Sequence, residues 1–216
     1  MITAPGGVFD AALTRAATGQ PAPLIVHDDV GVAHRLDAAD WFRVHLPGDR
    51  ALLQRCAGAT LDVGCGPGRL TRVLNRLGHP ALGIDISAEA VRLARSWGAT
   101  ALRRDVFASL PGHGRWRHLL LADGNIGIGG DPLRLLRRCR ELLGAGGRLH
   151  AELAPPGTRS WAGAARIACA GGVASTAFEW AVLSIDDLVA PADAAGLTVL
   201  DTWTEGTRWF ATLAAA

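Results

Sequence analysis

Leu61-Asp62-Val63-Gly64-Cys65-Gly66-Pro67-Gly68-Arg69-Leu70 is the stretch on which the reading of this chain turns. An apolar strand runs into three glycines at alternating positions, and a helical pattern follows at once. Glycine, with no Cβ, permits a tight turn and lets bare backbone approach a ligand. The helix behind it offers free N–H groups and the positive end of its dipole. A dinucleotide fingerprint, G-x-G-x-x-G, sets its third glycine three residues after the second. Here Gly64, Gly66 and Gly68 alternate, and Arg69 stands where that motif wants Gly or Ala. Asp62 lies two positions before the first glycine. A carboxylate there repels a pyrophosphate and suits a ligand carrying an ammonium group.

Composition narrows the classes. The chain has 216 residues, 49% of them hydrophobic and 19% charged, enough for one soluble α/β domain with a full core. The net charge of +2 gives no basic footprint for nucleic acid. All 22 basic residues are arginine, which points to a high-GC genome and removes Schiff-base and P-loop lysine chemistry. Cys56, Cys65, Cys139 and Cys169 form no C-x-x-C pair and no metal-ligand spacing with the histidines, so free thiols in a reducing cytoplasm and no metal are expected. No stretch reads as a signal peptide or a membrane span.

From Thr60 the pattern alternates strand and helix. Strands are expected at Leu61–Val63, Ala81–Ile86, Ala101–Arg104, His118–Ala122 and Arg148–Leu153, with helices at Arg69–Leu77, Ala88–Trp97 and Pro132–Leu143. Repeated βα units give a parallel sheet covered on both faces. Helix Ile185–Ala195 and strands Leu197–Thr202 and Arg208–Leu213 close the chain, the last two joined by a turn too short for anything but an antiparallel pair. The expected class is α/β: a doubly wound, mostly parallel seven-stranded sheet ending in an antiparallel hairpin. Residues 1–56 read as a cover, with a short helix around Val8–Ala16 and a hairpin of Leu24–His27 and Val32–Arg35. Residues 57–216 form the main domain, interrupted near 155–181 by an irregular segment expected to act as a lid.

At Asp62–Gly68 the chain resembles the class I S-adenosylmethionine (SAM)-dependent methyltransferases, whose first motif reads D-x-G-x-G-x-G. The resemblance implies that Gly64, Cys65, Gly66 and Gly68 pack against the methionine part of the cofactor. Asp85, about twenty residues on, would take the ribose hydroxyls, a geometry a carboxylate suits; a plain helix-capping role is its alternative. Ile86 would pack on adenine, Asp105 would accept from the adenine amino group, and the Val106 N–H would donate to the ring. Ala122-Asp123-Gly124-Asn125-Ile126-Gly127-Ile128-Gly129-Gly130-Asp131-Pro132 resembles a run found in small bacterial members of the family, with Ala145 departing where proline is usual and glycines standing where a histidine is common.

Methyl transfer from a sulfonium needs alignment and a dry site more than protein nucleophiles. Asp123 and Asn125, leaving the fourth strand, and His45 are the candidate catalytic groups, with Glu152 a further possible base; Ala122 joins the cofactor set. His27, Trp41, Phe42, Trp161 and Trp180 are expected to bind the acceptor, with Phe178 beside them. His118 and His150 read as structural. No Asn/Asp-Pro-Pro-aromatic run and no Pro-Cys pair occurs, so the acceptor is expected to be an oxygen or nitrogen of a small molecule or peptide, such as a specialised metabolite, rather than a nucleic acid. A nicotinamide oxidoreductase and a non-catalytic SAM-binding scaffold are the rival readings.

Overall fold

The computed structural model describes residues 2–3, 5–169 and 172–216. In chain order the elements are β1 (Ile2–Thr3), α1 (Pro5–Ala17), β2 (Pro23–His27), β3 (Ala33–Asp37), α2 (Asp49–Gln54), β4 (Thr60–Val63), α3 (Arg69–Arg76), β5 (Ala81–Asp85), α4 (Ala88–Ser96), β6 (Ala101–Arg103), β7 (Trp116–Leu121), α5 (Pro132–Leu142), β8 (Leu143–Leu153), β9 (Trp161–Cys169), β10 (Ala174–Ser175), β11 (Phe178–Val182), α6 (Val189–Ala194), β12 (Leu197–Glu205) and β13 (Arg208–Ala215). Short 3-10 turns occupy Ala38–Phe42, Asn125–Gly130 and Ile185–Asp187. No helix among the described residues is long and apolar enough to cross a membrane.

The main sheet runs β12-β13-β8-β7-β4-β5-β6. The five strands from β8 to β6 are parallel, and β13 lies antiparallel between β8 and β12. Successive side chains of a strand point to opposite faces, and β7 shows the result. Leu119 and Leu121 pack with Leu135, Leu136, Cys139 and Leu142 of α5. Leu120 faces the other way, towards Leu52 of α2, Leu70 and Leu74 of α3, and Phe210. Local chemistry fixes the helix starts. Ser87 accepts from the Ala90 N–H, and Asp131 accepts from the Arg134 N–H with Pro132 in the first helical position.

The cover and the irregular segment turn out otherwise than expected. Residues 161–182 hold three strands, not an irregular lid. β9 pairs with β2 of the N-terminal hairpin on one side and, along different stretches, with β10 and β11. Sequence expected two separate coverings; the chain makes one second sheet, ordered β1-β10-β9-β2-β3 with β11 added on β9. Alanine-rich stretches such as Ala162-Gly163-Ala164-Ala165 hide their β character because alanine favours strands little, even though their partner β11 is near in sequence; the other half of β9, residues 166–169, pairs with β2, more than 130 residues earlier. Gly171, half of the glycine pair thought to break this segment, lies outside the described residues.

His118 and His150 are buried in the main sheet, stacked with ring centroids 5.3 Å apart. A chain of contacts runs Ala57 O, His118 Nε2 (3.2 Å), His118 Nδ1 to His150 Nε2 (3.1 Å), and His150 Nδ1 to Thr212 Oγ1 (2.9 Å). One proton per ring satisfies every nitrogen. Cys56 lies close enough for the three side chains to bring ligand atoms within 4.8 Å of one another, but its thiol is directed at the Leu52 carbonyl and burial pushes it up to about 12. Burial, then the neighbouring ring, pushes His150 down to about 3, and burial lowers His118 too. The unfolded rings take up protons near pH 6.5, whereas the folded His150 resists to about 3, so this contribution to stability is present above 6.5 and lost as pH falls towards 3. Asp62 opposes it: raised by burial to about 6, it stabilises most below its unfolded value and loses that contribution as pH climbs through 6. The expected outcome is a melting temperature that declines from pH 7 to pH 4, with a shallower decline in His150→Gln; parallel profiles for the two proteins would reject the assignment.

Candidate active site

A cavity of about 910 Å³ lies between the carboxyl ends of β4, β5, β7 and β8 and one face of the second sheet, where ligands of open α/β sheets bind. Its floor is the glycine loop after β4. The Asn125 side chain donates to the Val63 and Gly64 carbonyls, both at 2.9 Å. A Cβ on Gly64 would sit 2.6 Å from that amide nitrogen, so Gly64 and Asn125 require one another. Gly66 is different: it has φ +53, and a Cβ there would meet nothing within 4 Å. It faces open cavity.

Asp85 closes the loop from the side. Its carboxylate accepts from the Gly66 N–H at 3.0 Å and the Ser87 N–H at 2.8 Å, and burial raises its pKa. It thus braces the turn into α4 and also lines the cavity. Ser87 also donates to Asp10 of α1 at 2.5 Å, which brings a second carboxylate to this wall. Ile86 lies on the lining, 69% exposed, an apolar surface left without a protein partner. Asp62 lies beneath the loop, fully buried, accepting from Thr71 Oγ1 at 2.7 Å.

Beside Asp62 stands a cluster of five charged side chains. Arg69 donates to Asp49 and, through Nη2, to both oxygens of Asp123 at 2.8 and 2.6 Å. Arg208 reaches Glu152 with two nitrogens at 2.8 and 2.6 Å, Asp49 at 2.9 Å and Asp123 at 3.0 Å. The Asp123 backbone N–H donates to Glu152 at 2.6 Å, and Asp123 holds φ +54, the left-handed conformation. Burial and the charge of Glu152 push Asp123 up, against the two guanidiniums; Asp49, although buried, is held below its ordinary value by Arg69 and Arg208.

Of the expected residues, Asp62, Gly64, Cys65, Gly66, Asp85, Ile86, Val106, Ala122, Asp123, Asn125, Trp41, Trp161 and Trp180 line this cavity. Five do not. Gly68 caps α3, where a Cβ would meet Ala94 and Ala99. The Asp105 carboxylate is exposed and turned back to accept from its own chain at the Phe107 N–H. Phe42 packs edge-on against Trp97 at 5.0 Å. His27 and His45 are exposed, away from the lining. His45, expected to be catalytic, thus stands apart from the cavity, and the Asn125 amide is spent on the loop. Cys65 is buried, its thiol raised well above the ordinary value by burial and the charges of Asp62 and Asp85. Sequence reading missed Asp10, His34, Asp49 and Arg208, which reach the site from distant segments. Arg69, noticed only as a departure from the dinucleotide motif, is central to the charge cluster.

Residues 60–147 match the family described as a methyltransferase domain. A SAM-dependent methyltransferase from Bacteroides fragilis, solved with S-adenosyl-L-homocysteine, aligns with a TM-score of 0.80 at 21% identity over 100% of this chain and 98% of that one. The 1,6-didemethyltoxoflavin-N1-methyltransferase of Burkholderia thailandensis gives 0.61 at 18% identity, over 99% and 91%. A glycopeptide N-methyltransferase, MtfA, gives 0.59 at 16% identity, over 78% and 89%. The fold is that of the class I methyltransferases. None of the curated proteins matches the sequence.

The Asn125 clamp generates a direct test. Asn125→Ala deletes two hydrogen bonds to the loop, each worth about 0.5–1.5 kcal/mol. The variant should melt several degrees lower and bind SAM or its product about tenfold more weakly by calorimetry; unchanged binding would show that the clamp does not shape the loop.

Proposed function

We propose that the protein transfers a methyl group from SAM to an oxygen or nitrogen of a small molecule. The observation that carries this reading is the open space at Gly66, bounded by the Asp85 carboxylate, exposed Ile86 and buried Asp62. The donor set fits the cofactor. Asp85 suits the ribose hydroxyls, Ile86 and Val106 offer apolar contact to adenine, and Asp62 supplies a counter-charge for the ammonium group. The charge cluster adds to this: three carboxylates against two guanidiniums leave a net negative charge when all are ionised. Bound SAM supplies an electrophilic methyl on a cationic sulfur, for in-line displacement by the acceptor.

The chain's own residues orient and enclose. Asn125 and Gly64 set the loop, Asp123 is locked by Arg69 and Arg208, and Trp41, Trp161 and Trp180 roof the acceptor side. Dry walls raise the value of every electrostatic contact inside. The substrates of two structural relatives, 1,6-didemethyltoxoflavin and a glycopeptide, agree with an acceptor other than nucleic acid. The roof favours the small molecule over a peptide. The nicotinamide reading suffers from Asp62 beneath the loop, which opposes a pyrophosphate.

Mass spectrometry of the purified protein should find SAM or S-adenosyl-L-homocysteine, and labelled SAM should give label in an acceptor panel; tight cofactor binding with no turnover on any acceptor would favour the scaffold reading. Asp85→Ala should weaken SAM binding by about 1–3 kcal/mol through lost charge-assisted hydrogen bonds, and equal affinity would remove Asp85 from the site. SAM binding should also be proton-linked. With Asp62 raised to about 6, a bound cation favours its ionised form, so affinity should strengthen about tenfold from pH 5 to pH 7 with proton release. Asp62→Asn should flatten that dependence; a slope unchanged in the variant would contradict the role given to Asp62.

A further inference from the structure

The second sheet turns one face to the cavity, and the strand register identifies its residues. Residues directly opposite on neighbouring strands share a face. His34 pairs with Val26, and Val26 with Ile167. On β9 the alternate positions from Ile167 lead back to Trp161, and Phe178 and Trp180 of β11 pair with Ala165 and Gly163 on the same face. His34, Val26, Ile167, Trp161, Phe178 and Trp180 all line the cavity. The roof is thus built of aromatic and branched apolar side chains, with one imidazole among them.

Two polar atoms on this face have no partner. His34 Nε2 and Trp161 Nε1 are both buried and make no hydrogen bond within the protein. Leaving such atoms unpaired is costly, so native structures pair them with protein, water or ligand. On the glycine-loop side Arg69 Nε is also unpartnered, but the other nitrogens of that guanidinium are bound by carboxylates, and the Asp123, Glu152 and Arg208 side chains are heavily committed. The unpaired pair belongs instead to the wall opposite the glycine loop. A volume of about 910 Å³ is near the upper end of the roughly 300–1,000 Å³ of ligand pockets, as a cofactor and a second molecule side by side require.

We propose that this face binds a planar aromatic or heteroaromatic acceptor, with His34 Nε2 hydrogen-bonded to a polar group on its ring. Trp161, Phe178 and Trp180 supply ring surfaces for stacked or edge contacts. The Trp161 N–H can only donate, so it selects an oxygen or unprotonated nitrogen on the bound molecule. His34 accepts or donates according to its tautomer, which suits a hydroxyl or a ring N–H. The inference rests on the cofactor reading above for the identity of the neighbouring ligand, and names what lies beside it.

The test uses the full chain with S-adenosyl-L-homocysteine and two probes of similar size and one hydroxyl each, 2-naphthol and decahydro-2-naphthol, titrated by calorimetry and repeated without the homocysteine compound. The aromatic probe should bind at least tenfold tighter than the saturated one. His34→Leu should weaken the aromatic probe at least fivefold and leave S-adenosyl-L-homocysteine binding within twofold, while His34→Gln, which keeps a hydrogen-bonding group, should restore most of the loss. Thermal melts of both variants exclude unfolding as the cause. Equal binding of the two probes, no binding of 2-naphthol, or a leucine variant that binds it as the parent does would overturn the proposal. Failure of the parent protein to bind S-adenosyl-L-homocysteine at all would instead overturn the cofactor reading, whatever the naphthol titrations gave.

Discussion

Arg69 and Arg208, gripping Asp49, Asp123 and Glu152, are the constraint around which the site is assembled. The five side chains come from α2, the start of α3, the turn after β7, the end of β8 and the start of β13. Removing one member of such a buried group strands the others' charge, at about 3–5 kcal/mol, far more than an exposed pair is worth. That cost helps to hold Asp123 in a left-handed backbone, which is uncommon outside glycine even though aspartate and asparagine adopt it more readily than other residues. With Asp123 fixed, the turn that follows delivers Asn125 to the glycine loop, and the loop takes its shape from that amide.

The cluster also sets the electrical character of the cavity. Its arginines do not point outward as a phosphate-binding fork; each is consumed by carboxylates. With Asp62, Asp85 and Asp10 nearby, the cavity wall is acidic even though the chain as a whole carries a formal charge of +2. Local field and net charge have opposite signs here. Such a wall favours a cationic ligand over a pyrophosphate, which separates this glycine loop from a dinucleotide loop on physical grounds.

The main sheet was legible because its signals are local. Each βα unit announces itself by an apolar run, a break and an amphipathic helix within about 25 residues, and the short turn between β12 and β13 leaves one possible pairing. The second sheet was not, because the pairing that joins β9 to β2 spans most of the chain, and alanine carries so little strand signal of its own that even the nearby β9–β11 pairing is unmarked. The glycine run after β7 shows the same limit at the site. In the sequence its glycines read only as standing where a histidine is common, yet Gly127 and Gly130 are small because β11 lies against them: a Cβ on Gly127 would collide with the Ala181 carbonyl and the Trp180 ring. The cofactor half of the site was visible as a motif, since its residues follow one strand, loop and helix. Asp49, Arg208 and His34 carried no such pattern; only the tertiary fold brings them to one place.

Arg208 stands near the end of the chain, on the strand that slots between β8 and β12. Its partner Asp49 is 159 residues earlier. A ribosome therefore releases the glycine loop, Asp85 and most of the parallel sheet well before the residue that completes the charge cluster. Until β13 inserts, Asp49, Asp123 and Glu152 face one another with a single arginine between them, and their mutual repulsion works against closure. Contacts of such long sequence separation form late and slowly. Insertion of β13 between β8 and β12 is thus the step that completes the charge cluster, and loss of that strand would remove the site rather than trim an edge.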